Sequence, residues 1–127
     1  MKLSDYFEKK KGKGIIATAD SKGKVGMAIY ARPHFINEKL VAFIMADRLM
    51  HKNLQTNPNA AYLFIESGDR YVGKRLYLTA MKEEKDSELI DKVRRKSSCP
   101  VDKGYKSVQR YLVYFKVNKV LPLVGSK

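Results

Sequence analysis

The stretch Val25 to Glu66, VGMAIYARPHFINEKLVAFIMADRLMHKNLQTNPNAAYLFIE, decides how the rest of the chain is read. Its first segment alternates Val25, Met27, Ile29 and Ala31 with Gly26, Ala28, Tyr30 and Arg32, the period-two pattern of a strand. Pro33 follows, and proline cannot donate to a sheet ladder, so Arg32 is expected at the strand's end. Leu40 to Ala46 is apolar throughout, which implies a strand buried on both faces. Asp47 is expected to cap a short helix from Arg48 to Thr56, closed by Asn57-Pro58 because the residue before proline avoids helical geometry. On that helix Arg48, His51, Lys52 and Gln55 share one flank, while Met50 and Leu54 pack inward. Ala60 to Ile65 completes the stretch as a third strand. Cations gathered at the ends of apolar strands suit an anionic ligand held against an apolar wall.

Outward from this stretch the pattern stays short and β-rich. Ser4 or Asp5 is expected to cap a first helix running to about Lys11, stopped by Gly12 and Gly14. Gly14 to Ala19 reads as a strand and Asp20-Ser21-Lys22-Gly23 as a hairpin turn. After the turn Ser67-Gly68-Asp69, Arg75 to Met81 alternates as a strand. The acidic residues of Glu83 to Glu88 read as the start of a helix that Asp86 or Ser87 caps and that runs to about Lys96, with Leu89, Ile90 and Val93 buried. Tyr111 to Leu121 is a last, long strand. The expectation is a mainly β chain with some α: one domain, a six-stranded antiparallel barrel flanked by short helices.

The composition narrows the chemistry. The chain has 127 residues, 26 Lys and Arg against 13 Asp and Glu, and a net charge of +13, so an anionic ligand or surface is favoured on electrostatic grounds. A single cysteine, Cys99, excludes an intrachain disulfide and a multi-thiolate metal site, and points to a reducing compartment. The N-terminus lacks the apolar core of a signal peptide and no apolar run reaches the ~20 residues of a membrane helix, so a cytoplasmic location is expected. His34 and His51 have no second ligand at metal spacing. The chain has no P-loop, no nucleophile elbow and no dinucleotide glycine fingerprint after a strand. Any redox or group-transfer chemistry would therefore come from a bound cofactor.

The order of these pieces resembles the FMN-binding split barrels related to pyridoxamine 5'-phosphate oxidase. The resemblance is carried by Arg32 after a strand, the apolar strand Leu40 to Ala46, the basic turn Arg48 to Lys52, Asn57-Pro58, and the strand Ala61-Tyr62-Leu63-Phe64. It implies a split β-barrel, FMN as cofactor, and a homodimer with flavin sites at the subunit interface. For the phosphate, guanidinium forks are the best ligands, so Arg32 and Arg48 are the first candidates, with Lys52 as a point charge and His51 or Asn53 as donors. Phe43, Ile44 and Met45 are candidates for the ring's apolar wall, and Arg75 for the pyrimidine end of the flavin. Two departures stand out. Met50 occupies the position where the family's turn carries a basic residue, and no Trp- and Arg-rich C-terminal segment matches that of true pyridoxamine phosphate oxidases. The expected function is an FMN-dependent oxidoreductase or electron carrier that does not act on pyridoxamine phosphate, with electron donor and acceptor unspecified. The alternatives are a non-catalytic carrier of flavin or of haem, the latter through His34 or His51, and a basic nucleic-acid-binding barrel. The last ranks lowest, because the basic residues are scattered and do not form one stripe.

Overall fold

The period-two segments fold as strands of a single antiparallel sheet. A computed structural model describes residues 1–85, Ile90 and 109–125. Its elements are α1 (Leu3–Lys9), β1 (Gly12–Ala19), β2 (Val25–Ile29), β3 (His34–Asn37), β4 (Leu40–Ala46), α2 (Leu49–Leu54), β5 (Asn59–Glu66), β6 (Gly73–Glu84) and β7 (Arg110–Pro122). The sheet has seven strands in the order β2-β1-β5-β6-β7-β4-β3. It is not closed by hydrogen bonds, since β2 and β3 are its edges. Side chains show how far it curls: Phe43 of β4 meets Tyr62 of β5 at 5.0 Å between ring centroids and Tyr30, just past β2, at 6.2 Å. This is the split barrel expected from the sequence, with one strand more.

The extra strand is β3. It is four residues long, follows Pro33 directly, and its register against β4 slips between Phe35 and Asn37, so it has no room to display an alternation. Four other boundaries also differ. β1 begins at Gly12, not Gly14, and a Cβ at Gly12 would lie 2.0 Å from the carbonyl oxygen of Ile65, so these glycines permit close strand approach. β2 ends at Ile29, which leaves Arg32 outside it. Glu83 and Glu84 extend β6 instead of starting a helix. α2 has Arg48, not Asp47, at its N-cap, with no side-chain cap. The helix expected from Asp86 or Ser87 to Lys96 lies, apart from Ile90, outside the described residues.

The interior is aromatic. Tyr6 and Phe7 of α1, Ile16, Phe43, Met45, Tyr62, Phe64, Leu76, Leu78 and Phe115 are buried in one cluster. Tyr62 spans it, its hydroxyl pointing at the carbonyls of Tyr30 and Ala31 at 3.2 Å each, and a Cβ at Gly14 would sit 1.8 Å from that hydroxyl. β4 is buried on its other face as well, where Ala42 and Ile44 pack with Leu112, Tyr114 and Ile90. α1 lids the barrel: Tyr6 donates to Glu66 at 2.5 Å, and burial followed by that carboxylate pushes its phenol well above the ordinary value. Ser4 and Asp5 do not cap α1, whose N-cap is Lys2. The Ser4 hydroxyl instead donates to Glu38, and this bond is the main reason the Glu38 carboxyl lies below its ordinary value of 4.5.

Candidate functional site

α2 is the element on which the cationic candidates depend, and the sequence fixes it from below. Its buried side chains are Met50, His51, Asn53 and Leu54. Asn53 donates to the Thr18 hydroxyl at 3.1 Å, and that hydroxyl reaches the Met50 carbonyl at 3.4 Å, which ties α2 to β1. Gly26 of β2 lies against α2: a Cβ there would be 2.7 Å from the Met50 methyl and 3.2 Å from Leu49. His51 stacks on Tyr111 with ring centroids 4.1 Å apart and planes 11° apart. Its Nδ1 is 3.0 Å from an Asp47 oxygen and its Nε2 is 2.9 Å from a Glu83 oxygen, with Gln55 also donating to Glu83 at 3.2 Å. Asp47 lies one helical turn before His51, whereas Glu83 lies 32 positions away and no local pattern reveals it as a partner.

These contacts sort the expected site residues. His51 and Asn53 are buried and face protein groups, so in this conformation they hold α2 in place and do not project from it. Arg48 and Lys52 are exposed at the start and middle of α2. The structure does not bring Arg32 to them. Its guanidinium donates to the carbonyls of Phe7 (2.8 Å), Glu8 (3.3 Å) and Lys10 (2.8 Å), compensating the negative end of α1. α2 sits over the Gly26 end of β2, and Arg32 lies beyond the opposite end. Phe43, Ile44 and Met45 do not form one wall, because Phe43 and Met45 point into the barrel core and Ile44 into the cluster on the other face. Arg75 is held by the carbonyls of Pro122 (2.8 Å) and Gly125 (2.7 Å), which pins the chain end beyond β7.

A second surface was not foreseen. The outward side chains of β2, β1, β5, β6 and β7 come into rows through the strand register. Ile29 pairs with Ile15, Ile15 with Leu63, Leu63 with Arg75, and Arg75 with Leu121. The next row runs Met27, Ala17, Ala61, Tyr77, Lys119, and Lys13 pairs with Ile65 at the margin. Val25 is 78% exposed, Met27 71% and Ile29 59%. None of these outward positions is Asp or Glu. The signal was present in the sequence as the odd-numbered residues of 13–19, 25–29, 59–65 and 73–79, but only strand order shows that they form one face. Among the described residues no helix is long and apolar enough to cross a membrane, and no cluster of three or more His, Cys, Asp or Glu is placed to hold a metal ion.

No protein-family model and no curated protein matches the chain. Solved structures match it over nearly its full length. An FMN-binding protein from Syntrophomonas wolfei subsp. wolfei has a TM-score of 0.77 at 16% identity, over 99% of this chain and 86% of that one. An F420 reductase has a TM-score of 0.72 at 13% identity, over 95% and 98%. A protein from Lactobacillus delbrueckii assigned as a pyridoxamine 5'-phosphate oxidase has a TM-score of 0.65 at 14% identity, over 95% and 92%. At these identities the likeness establishes the fold: the chain has the split barrel of FMN-binding and pyridoxamine 5'-phosphate oxidase-like proteins.

Proposed function

We propose that the protein binds FMN as a homodimer and works in the reducing cytoplasm as an oxidoreductase or electron carrier, on a substrate other than pyridoxamine phosphate. The observation that carries this reading is the outward sheet face: apolar side chains on β2, β1 and β5, the cations Lys13, Arg75 and Lys119 in the same rows, and no carboxylate among the paired positions of those rows. Exposed apolar rows of this kind mark a surface that is covered in the working state. A flat flavin ring and a second subunit are what such a face can cover. The fold is that of a protein that binds FMN in Syntrophomonas wolfei, which supports the same choice of cofactor.

The residues divide the work. Lys52, with Arg48 beside it, offers charge to the phosphate at the exposed side of α2, while His51, Asn53 and Thr18 keep that helix seated. Ile15, Leu63 and Met27 supply an apolar floor. Arg75, fixed by two carbonyls on the same face, places a charge where an anionic reduced flavin would be stabilised. Bound FMN would supply hydride or single-electron acceptance, chemistry the side chains lack. A haem-carrier role fits less well, since both ring nitrogens of His51 already face carboxylates.

Titration of the purified chain with FMN and with riboflavin, followed by flavin fluorescence, tests the reading. FMN should bind and Lys52→Ala should weaken it by about 1.5–3 kcal/mol, the loss of a charge-assisted bond, with riboflavin unaffected by the substitution. A chain that binds neither flavin overturns the proposal. Anaerobic mixing of the loaded protein with NADH or NADPH then separates an enzyme, which bleaches the flavin, from a carrier that needs another donor.

A further inference from the structure

We infer that His51 is a proton-dependent clamp: as imidazolium it ties α2 to β6 through Asp47 and Glu83, and loss of its proton loosens the seat of Lys52 and Arg48. The clamp is a property of the chain alone, while its effect on a ligand rests on the FMN reading above. The ring of His51 is 4% exposed and stacks on Tyr111 of β7. Each of its nitrogens ends on a carboxylate oxygen, Nδ1 on Asp47 at 3.0 Å and Nε2 on Glu83 at 2.9 Å. A neutral imidazole has one N–H and one lone pair, so one of these contacts would set a lone pair against an anionic oxygen. Imidazolium donates to both, and charge on donor and acceptor strengthens each bond.

The surroundings do not offer the neutral ring an equal arrangement. The Gln55 amide lies 3.2 Å from Nε2, but its hydrogens also reach Glu83 at 3.2 Å and the His51 carbonyl at 3.1 Å. Donating to a bare Nε2 would cost it one of those bonds and leave Glu83 against the lone pair. The cations on the same elements are Arg48 and Lys52 on α2, Lys82 on β6 and Arg110 on β7. Lys82 pairs with Glu84 at 3.7 Å and lies over the ring of Tyr114, from which Glu84 also accepts. The side chains of Asp47 and Glu83 are 39% and 33% exposed, so the proton of the buried ring reaches solvent through them. The backbone N–H of Asp47 is held in turn by the Gln109 carbonyl at 2.8 Å, at the entry to β7. Imidazole changes charge between about pH 5 and 8. The clamp is closed at the acid end of that range, and its contribution to stability is lost as the pH rises. A phosphate monoester runs the other way, gaining its second charge near about pH 6.

NMR of the ligand-free full chain, labelled at the histidine ring nitrogens and assigned with a His34→Gln variant, tests the clamp. Both ring nitrogens of His51 should carry a proton at the acid end of that range, and a ring with a single proton there overturns the inference. Urea unfolding gives the energetic counterpart. Glu83→Gln should lower the urea midpoint at about pH 5.5 and not at about pH 8; an equal loss at both, or no loss at either, overturns the clamp. Should that variant fail to fold, Asp47→Asn takes its place with the same expectation. With FMN, the wild-type dissociation constant should rise by roughly 5-fold or more from the acid to the alkaline end, against the trend of the phosphate, and Glu83→Gln should flatten that rise. Wild-type affinity that holds or climbs with pH overturns the link between the clamp and the ligand. A chain that binds no FMN overturns the cofactor reading, and the NMR and urea results still decide the clamp.

Discussion

The two faces of β1, β5 and β6 are built from alternate residues of the same strands, yet they serve different ends. Inward, Ile16, Tyr62, Phe64, Leu76 and Leu78 interlock with Phe7, Phe43 and Phe115. Outward, Ile15, Ala17, Ala61, Leu63 and Tyr77 are small or apolar and lie beside Lys13, Arg75 and Lys119, with no covering element among the described residues. The inward face is completed by the chain itself and sets stability. The outward face has no such cover among the described residues. Residue type alone does not separate them, since both are apolar; what differs is whether a described element packs against them.

Substitutions on the two faces should therefore separate stability from binding. The largest effect is expected inside. Phe43→Ala removes a ring that touches Tyr30, Tyr62 and Phe115, and urea unfolding should show a loss of about 3–5 kcal/mol. A loss under about 1 kcal/mol would mean that the interior is not packed as described. On the outward face Met27→Lys should change unfolding stability by no more than about 0.5 kcal/mol yet weaken both dimerisation and FMN binding. A stability loss as large as that of Phe43→Ala would erase the contrast between the faces.

The smallest effect lies away from both. Ser4 holds the Glu38 carboxyl below its ordinary value of 4.5, so the folded state favours the ionised form. This contribution is present above pH 4.5 and is lost as the pH falls through the lowered folded value. Ser4→Ala should remove that part of the acid dependence and leave neutral-pH flavin binding unchanged. A pH–stability profile identical to the wild type would show that the bond carries no linkage.

Much of this architecture was legible in the sequence, and for local reasons. The alternation at Val25 to Ile29, the double-faced burial of Leu40 to Ala46 and the stop at Asn57-Pro58 depend on neighbours a few residues away. What escaped depends on distance along the chain. β3 is too short to show a period, and Glu83 looked like a helix start because its partner His51 lies on another element. Arg32 looked like a ligand because nothing local reveals that the carbonyl end of α1 lies beside it. The outward face emerges only from strand order, which places residues of five segments side by side.

The central claim is that the flavin sits on this outward face, and Met27 reports on it directly. Of the five methionines, Met27 is 71% exposed on that face while Met45 is fully buried in the core. In the methyl NMR spectrum of chain labelled at the methionine methyls, FMN should move the Met27 resonance and leave that of Met45 in place. Saturation with FMN that leaves Met27 unmoved while a methionine elsewhere shifts would contradict the account.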